Sequence, residues 1–426
     1  MRKTWLMWGL GVLAGCGSTT IPMAPNPSPH FGAVADNLQL GGTVYAYVDI
    51  DGDAERAASF LISLLDGVPG ADEAARSDGR NPRQLARDVG LADVDAIGMS
   101  SYRQGDLYHN RSFIYRSGPR QGVLALFGAD PAAFELPNVS TPATDFIWEL
   151  RLDLGALIDV VRALGTHGVG PSPASIDRTL NESVGGLDVT LGALLQNLER
   201  IGLTLELDES RILRVPGSAL WFPFTNFLFQ LDGVGALVDA LERRSAFDPF
   251  LRSQSTAERR VVSLGIRLPP PWNAYDPQLV EDLRSGRVYL SSNPAFLEQS
   301  LTSPRRVTEA GDYEAVFAEL PTQGNGMLFM SRRLTRELHG LLDRWVNESG
   351  AGLGTALARF FLPDGGLPVG WVAQNRPDGV LFTSNSPSSH KSTLVTLAYA
   401  TVLPVIVAMA ASKASKPPPP PFPSFP

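Results

Sequence analysis

The feature that most restricts the fold of this chain is a strand-and-helix pattern that recurs 181 residues later. Ile50, Asp51 and Gly52 follow one strand pattern, and Leu231, Asp232 and Gly233 follow another at that spacing. The apolar residues of two helical patterns keep the same spacing: Leu157, Val161 and Leu164 first, then Leu338, Leu342 and Trp345. Chance similarity is the alternative, since apolar strand–helix junctions look alike. We interpret the recurrence as an internal duplication.

Alternation of apolar and polar residues predicts mostly antiparallel strands. Phe146, Trp148 and Leu150 share one side of such a pattern, and Glu149 lies on the other. Residues 203–207 and 211–215 read as a hairpin. Such strands are half-buried, with helices covering one face of their sheet. We therefore predict an α+β fold of two related lobes, residues 41–221 and 222–388, each a mostly antiparallel sheet backed by helices.

Composition excludes several classes of protein. With 44% hydrophobic and 19% charged residues, the chain of 426 residues buries a core and is not disordered throughout. A net charge of −8 argues against a general nucleic-acid binder. The single cysteine excludes a disulfide framework and a cysteine-based zinc cluster, because both need several cysteines.

The first residues have the pattern of a secretory signal. Arg2 and Lys3 precede an apolar run that is too short to span a bilayer, and the run ends in Leu13-Ala14-Gly15-Cys16. These four residues resemble the lipobox of bacterial lipoproteins. The resemblance covers about the first 17 residues and implies removal of a signal peptide, 1–15, with lipid attached to Cys16. A plain signal peptide with a chance cysteine is the alternative.

A lipidated Cys16 implies a bacterial cell-envelope protein whose globular part is periplasmic or extracellular. Residues 16–40 then act as a tether, because their first half is rich in Ser, Thr, Asn and Pro and stays extended. Whether the anchor lies in the inner or the outer membrane is left open, since Gly17 is not the aspartate that resembles an inner-membrane retention signal.

The C-terminal region has a second apolar segment. Residues 389–412 contain an 18-residue run, from Leu394 to Ala411, which is the minimum length for a transmembrane helix. A buried terminal helix of the second lobe is the alternative, and it gains weight if the anchor lies in an outer membrane. The proline-rich tail, 413–426, predicts an extended spacer or recognition peptide.

No residue pattern indicates catalysis or metal binding. Asp49, Asp51 and Asp53 alternate as calcium ligands do, yet the EF-hand pattern fails, so we interpret them as a helix cap. His109 is expected at a solvated strand edge or turn, and His390 in a flexible flank. None of the five histidines forms a close pair, and neither a catalytic set nor a cofactor is predicted.

An aromatic run stands between the two copies. It contains Trp221, Phe222, Phe224 and Phe227, which either join the lobes as core or line an apolar ligand cleft between them. The sequence thus predicts a non-enzymatic envelope lipoprotein, a binding or structural module. Its partners are the membrane and an unidentified envelope protein or apolar ligand. The alternative is a carrier or sensor of an apolar ligand in the inter-lobe cleft.

Overall fold

The computed structural model describes residues 28–51, 53, 56, 82–128, 130–167, 171–214, 221–266, 268–270, 272–349 and 366–391. These residues have an α+β fold with a large antiparallel sheet, which confirms the predicted class. Nine α-helices lie within them: α1 (Phe31–Ala35), α2 (Pro82–Asp88), α3 (Leu154–Thr166), α4 (Pro173–Asn181), α5 (Leu191–Asn197), α6 (Gly235–Ser245), α7 (Pro294–Thr302), α8 (Gly311–Phe317) and α9 (Arg332–Ser349).

Fifteen strands are described, and thirteen of them form one sheet. The strands are β1 (Val44–Asp49), β2 (Ala96–Gln104), β3 (Leu107–Tyr115), β4 (Ala132–Ala133), β5 (Phe146–Leu150), β6 (Arg200–Arg214), β7 (Trp221–Asp232), β8 (Leu251–Ser255), β9 (Arg259–Leu264), β10 (Gln278–Asp282), β11 (Arg287–Ser291), β12 (Gln323–Gly324), β13 (Gly326–Met330), β14 (Val369–Arg376) and β15 (Gly379–Ser386). Their order is β1-β2-β3-β15-β14-β13-β5-β6-β7-β11-β10-β9-β8, while β4 pairs with β12. Both segments predicted as lobes, 41–221 and 222–388, contribute strands to the large sheet.

The middle of the sheet is the antiparallel pair β5–β13, in which Trp148 lies opposite Leu328. Buried Asp145 fastens this pair at one end. Its carboxylate accepts hydrogen bonds from the Ser331 hydroxyl at 2.6 Å and the Leu207 N–H at 2.9 Å, and it forms an ion pair with Arg333. One side chain therefore ties together β5, β6, β13 and the start of α9.

The two faces of the sheet differ in how completely they are covered. On the first face Ile147, Met327 and Phe329 are buried, and they pack in one cluster with side chains of α8. On the second face Trp148, Leu203 and the neighbouring apolar side chains are only partly buried. Alternation along each strand therefore separates a sealed first face from an accessible apolar second face.

The predicted hairpin between residues 203–207 and 211–215 is wrong. Residues 200–214 form the single long strand β6, whose register against β7 shifts between Asp208 and Ile212. The Asp208 carboxylate accepts hydrogen bonds from Ser210 and Arg211, and these local bonds accompany a bulge rather than a reversal of the chain. The hairpin partner of β6 is β7.

Candidate functional site

The second face of the sheet contains a pocket of about 340 Å³, which we call the sheet pocket. It lies over β2, β3, β15 and β14, and its volume is at the lower end of the range typical of ligand sites. The lining residues are Ile97, Met99, Asn110, Ser112, Ile114, Trp371, Phe382, Ser384 and His390. All but His390 are strand residues that point from the same face, as the cross-strand register requires.

Aromatic rings form one wall of the sheet pocket. Trp371 and Phe382 lie on neighbouring strands and stack, with their ring centroids 5.8 Å apart. Phe127 approaches Phe382 edge-on at 5.7 Å. Both contacts have the offset or edge geometry that aromatic pairs prefer, so this wall is held in a defined position.

The polar side of the sheet pocket is an ordered hydrogen-bond network. The Ser101 hydroxyl donates to the Asn110 carbonyl oxygen at 2.7 Å, and the Asn110 amide donates to the Ser388 backbone carbonyl at 3.1 Å. The backbone N–H of His390 donates to the Ser101 hydroxyl at 2.9 Å. These bonds hold the segment that follows β15 against β2 and β3, and so they bring His390 to the pocket.

Ser112 and His390 form a hydrogen-bonded pair inside the sheet pocket. The Ser112 Oγ lies 2.9 Å from the His390 Nε2. Burial lowers the pKa of His390, although a hydrogen bond with the Arg111 backbone acts in the other direction. The imidazole is therefore neutral at pH 7 and can accept the serine proton, which is also the arrangement of a nucleophile and its base.

None of the lining side chains of the sheet pocket carries a charge at neutral pH. The pocket combines an apolar wall with hydroxyl, amide and imidazole groups. Such a lining favours an apolar ligand with one uncharged polar group, because an ionised group would lose its hydration without gaining a charged partner.

A larger cavity of about 630 Å³, the end cleft, opens where β5 begins and β13 ends. Four charged side chains line it, and they pair with one another: Arg333 with Asp145, and Arg332 with Asp312. Because each charge has a partner within the cleft wall, these residues are explained by their role in fixing β5 and α8 to the start of α9. We therefore take the sheet pocket as the better ligand site.

The aromatic run identified in the sequence lies on β7, away from the sheet pocket. Phe224 is buried between the Arg211 guanidinium, 3.8 Å from its centroid, and the ring of Tyr275, which stacks at 4.6 Å. Phe227 also contacts Tyr275, at 5.9 Å. Trp221 lies under the Arg344 guanidinium of α9.

Phe222, the fourth residue of the predicted cleft, is half-buried. The fold thus places Phe224 and Phe227 against the same ring, that of Tyr275, while Trp221 packs against Arg344 of helix α9.

Buried charges connect β5, β6, β7 and β11 on the first face of the sheet. The residues of this buried charge cluster are Glu135, Glu149, Arg200, Asp232 and Arg287. Arg200 lies 2.9 Å from Glu135, 3.5 Å from Glu149 and 3.6 Å from Asp232. Glu149 also accepts the backbone N–H groups of Glu135 and Leu136. The cluster ties four strands together.

The aspartates of the two recurring segments have different roles. Asp232, the counterpart of Asp51, belongs to the buried charge cluster, and α6 starts at an N-cap Val234 that makes no side-chain cap bond. Asp232 therefore does not cap α6. In the first of the two segments, the Asp49 carboxylate accepts the backbone N–H of Asp51. Across the described ranges, no group of three or more His, Cys, Asp or Glu side chains could hold a metal ion.

Two expectations about the histidines are also wrong. His109 is buried within β3, where its Nδ1 lies 2.8 Å from the Asn385 side-chain oxygen, so it is not a solvated edge residue. His390 packs into the sheet pocket instead of lying in a flexible flank. The sequence signal that we missed is the pair of small polar residues, Asn110 and Ser112, on an otherwise apolar strand face.

Several sequence predictions concern residues outside the described ranges. These are the signal peptide 1–15, the lipid acceptor Cys16, the tether as far as residue 27, the apolar run 394–411 and the tail 413–426. Among the helices that the structure does describe, none has both the length and the apolar composition needed to cross a bilayer.

Comparison with known proteins adds no family. No protein-family model matches the chain, and neither a curated protein nor a solved structure matches it.

The buried charge cluster predicts an effect of pH on stability. Burial raises the pKa of Glu149, and this outweighs the lowering by the Leu136 N–H and Arg200. A carboxyl with a raised folded-state pKa stabilises the fold fully below its unfolded pKa, about 4.3, and loses this contribution as pH rises through the folded pKa. We expect Glu149→Gln to reduce the fall in stability between pH 5 and pH 8, measured by urea unfolding. Exposed Glu182→Gln is the matched control, and equal pH dependence in all three proteins would contradict the role given to Glu149.

Proposed function

We propose that this protein is a bacterial envelope lipoprotein that binds an apolar ligand in the sheet pocket without transforming it. Cys16 carries the lipid anchor, residues 16–40 form the tether, and the globular part is held at a membrane in the periplasm or outside the cell. The observation that carries the ligand assignment is the uncharged pocket of about 340 Å³ with its stacked Trp371 and Phe382.

The ligand is a molecule with an apolar chain or ring system and one uncharged polar group. The apolar part fits the side formed by Ile97, Ile114 and Phe382, and the polar group faces Ser112 and His390. Long-chain alcohols have this chemistry. The aromatic run of β7 is a second location for an apolar ligand, as the sequence alone suggests.

We also propose that the chain arose by duplication, as the spacing of 181 residues indicates. The order of the sheet supports this, because β13 and β14 on one side of its centre have counterparts in β5 and β6 on the other. In each set the first strand is followed by a helix, α9 after β13 and α3 after β5. The two copies would then meet along β5–β13.

Filling the sheet pocket tests the ligand assignment. Ser384→Trp places a large ring in the pocket, so we expect the affinity for the uncharged probe N-phenyl-1-naphthylamine to fall by about tenfold or more. Ser253→Trp, the same change on edge strand β8, is the control and should retain wild-type affinity. Fluorescence titration gives both values. Unchanged affinity in Ser384→Trp would place the probe elsewhere, for example on the aromatic run.

The Ser112–His390 pair favours a second candidate function, that of an acyl-ester hydrolase. Ser112 would attack the ester carbonyl and give its proton through His390 to the departing alcohol, and water would then release the acid. Incubation with 4-nitrophenyl butyrate separates the two functions. The binding protein that we propose releases nitrophenol no faster than Ser112→Ala does. Release that depends on Ser112 would establish the hydrolase instead.

The anchor is tested by metabolic labelling with an alkyne fatty acid. The wild-type chain should take up the label and fractionate with membranes, and Cys16→Ser should lose all of the label because no other cysteine is present. A wild-type chain without label would show that Cys16 is not lipidated. Membrane retention of Cys16→Ser would support a second attachment through residues 394–411.

A further inference from the structure

His390 is the one titratable side chain among the described residues that line the sheet pocket. The other lining side chains are apolar, hydroxyl or amide groups, whose charge does not change near neutral pH. Histidine gains or loses its charge between about pH 5 and about pH 8. The protonation of His390 alone therefore decides whether the wall of the sheet pocket is neutral or charged.

Hydrogen bonds to the backbone hold the imidazole of His390 at the sheet pocket. The Asn110 amide donates to the Ser388 carbonyl oxygen at 3.1 Å, and the Ser386 hydroxyl donates to the same oxygen at 2.8 Å. The backbone N–H of His390 donates to the Ser101 hydroxyl at 2.9 Å. Because these bonds fix the chain beside the imidazole, the ring stays in the pocket whether or not it is charged.

The surroundings of the ring suit its neutral form. The His390 Nε2 lies 2.9 Å from the Ser112 Oγ, and a neutral imidazole can accept the hydroxyl proton there. Burial lowers the pKa of His390, although a hydrogen bond with the Arg111 backbone acts in the other direction. An imidazolium at this position would lose hydration and gain no anionic partner from the lining side chains.

The charges around the sheet pocket do not offset an imidazolium either. Strands β2, β3, β14 and β15, with the segment that follows as far as Lys391, contain no acidic residue. On the second face of these strands the ionisable side chains are Arg103 and Tyr108, which lie opposite each other. Lys391 is exposed next to His390, and the Arg111 side chain lies on the first face. The charged neighbours are thus cations, which disfavour one more cation.

We propose that protonation of His390 releases the ligand, so that the sheet pocket binds its ligand at neutral pH and empties in acid. This inference rests on the proposed ligand binding and adds its regulation. An apolar ligand covers the imidazole and removes the water that would hydrate a charged ring, so the ligand binds the neutral form more tightly. By linkage, the ligand and the proton on His390 each weaken the binding of the other.

The pH dependence of probe affinity tests this proposal. N-phenyl-1-naphthylamine stays uncharged in mild acid, and its affinity for the full chain is measured by fluorescence titration from about pH 8 to about pH 4.5. Below the pKa of His390 in the free protein, the affinity should fall by about tenfold for each further pH unit. His390→Gln keeps a polar side chain that does not titrate, so its affinity should stay constant over the same range.

His109→Gln is the matched control for the pH titration. His109 is also a histidine whose pKa is lowered by burial, but it lies on the first face of β3, outside the sheet pocket. This variant should keep the wild-type pH dependence. A wild-type affinity that does not change with pH, or a fall that persists in His390→Gln, would overturn the proposal.

The neutral-pH values separate this inference from the proposed function. If Ser384→Trp weakens probe binding at pH 8 and the wild-type affinity is nevertheless independent of pH, the ligand assignment stands and the regulation by His390 is wrong. If Ser384→Trp binds the probe like the wild type, the probe is not in the sheet pocket and the proposed function itself fails.

A titration of His390 by NMR gives a second test on the wild-type chain. The chain is labelled with carbon-13 histidine, and the signal that is missing from His390→Gln identifies the residue. Saturation with N-phenyl-1-naphthylamine should lower the pKa of His390 further, because linkage is reciprocal. A titration midpoint that is the same with and without bound probe would contradict the proposal.

Discussion

The fold depends on the pairing of β5 with β13, because among the described strands this ladder joins the two sides of the large sheet. Asp145 fixes it: the buried carboxylate binds Arg333 and accepts hydrogen bonds from Ser331 and Leu207. A buried carboxylate without such partners would be strongly destabilising, so the site works only when β5, β6, β13 and α9 meet there. Once this junction is set, antiparallel pairing extends outward to β1 on one side and β8 on the other.

The local pattern of residues predicted the class of fold and many of its elements, including the helix through Leu157, Val161 and Leu164 and the strand at 146–150. It could not predict which face of β5 would be sealed. Trp148 is on the apolar side of the pattern and yet only partly buried, whereas Glu149 is 1% exposed. Arg200, far along the chain but on the neighbouring strand β6, and two backbone N–H groups offset part of the cost of burying Glu149. A short window of sequence does not contain such partners, so it cannot predict this burial.

The sheet pocket could not be predicted from the sequence either, because it also depends on long-range contacts. Ser112 and His390 are 278 residues apart in sequence, and only the pairing of β3 with β15 brings them together. The accessible second face of the sheet thereby acquires a pocket that is apolar on one side and polar on the other. The proposed lipid anchor would hold this pocket close to a membrane, which is a source of apolar ligands.

Photo-crosslinking shows directly whether the sheet pocket holds an apolar ligand. The full chain is irradiated with an uncharged long-chain alcohol that carries a diazirine near its end, and the modified peptides are identified by mass spectrometry. We expect crosslinks concentrated in residues 96–115 and 369–386, and their loss in Ser384→Trp. Crosslinks confined to residues 221–229, or spread evenly along the chain, would contradict it.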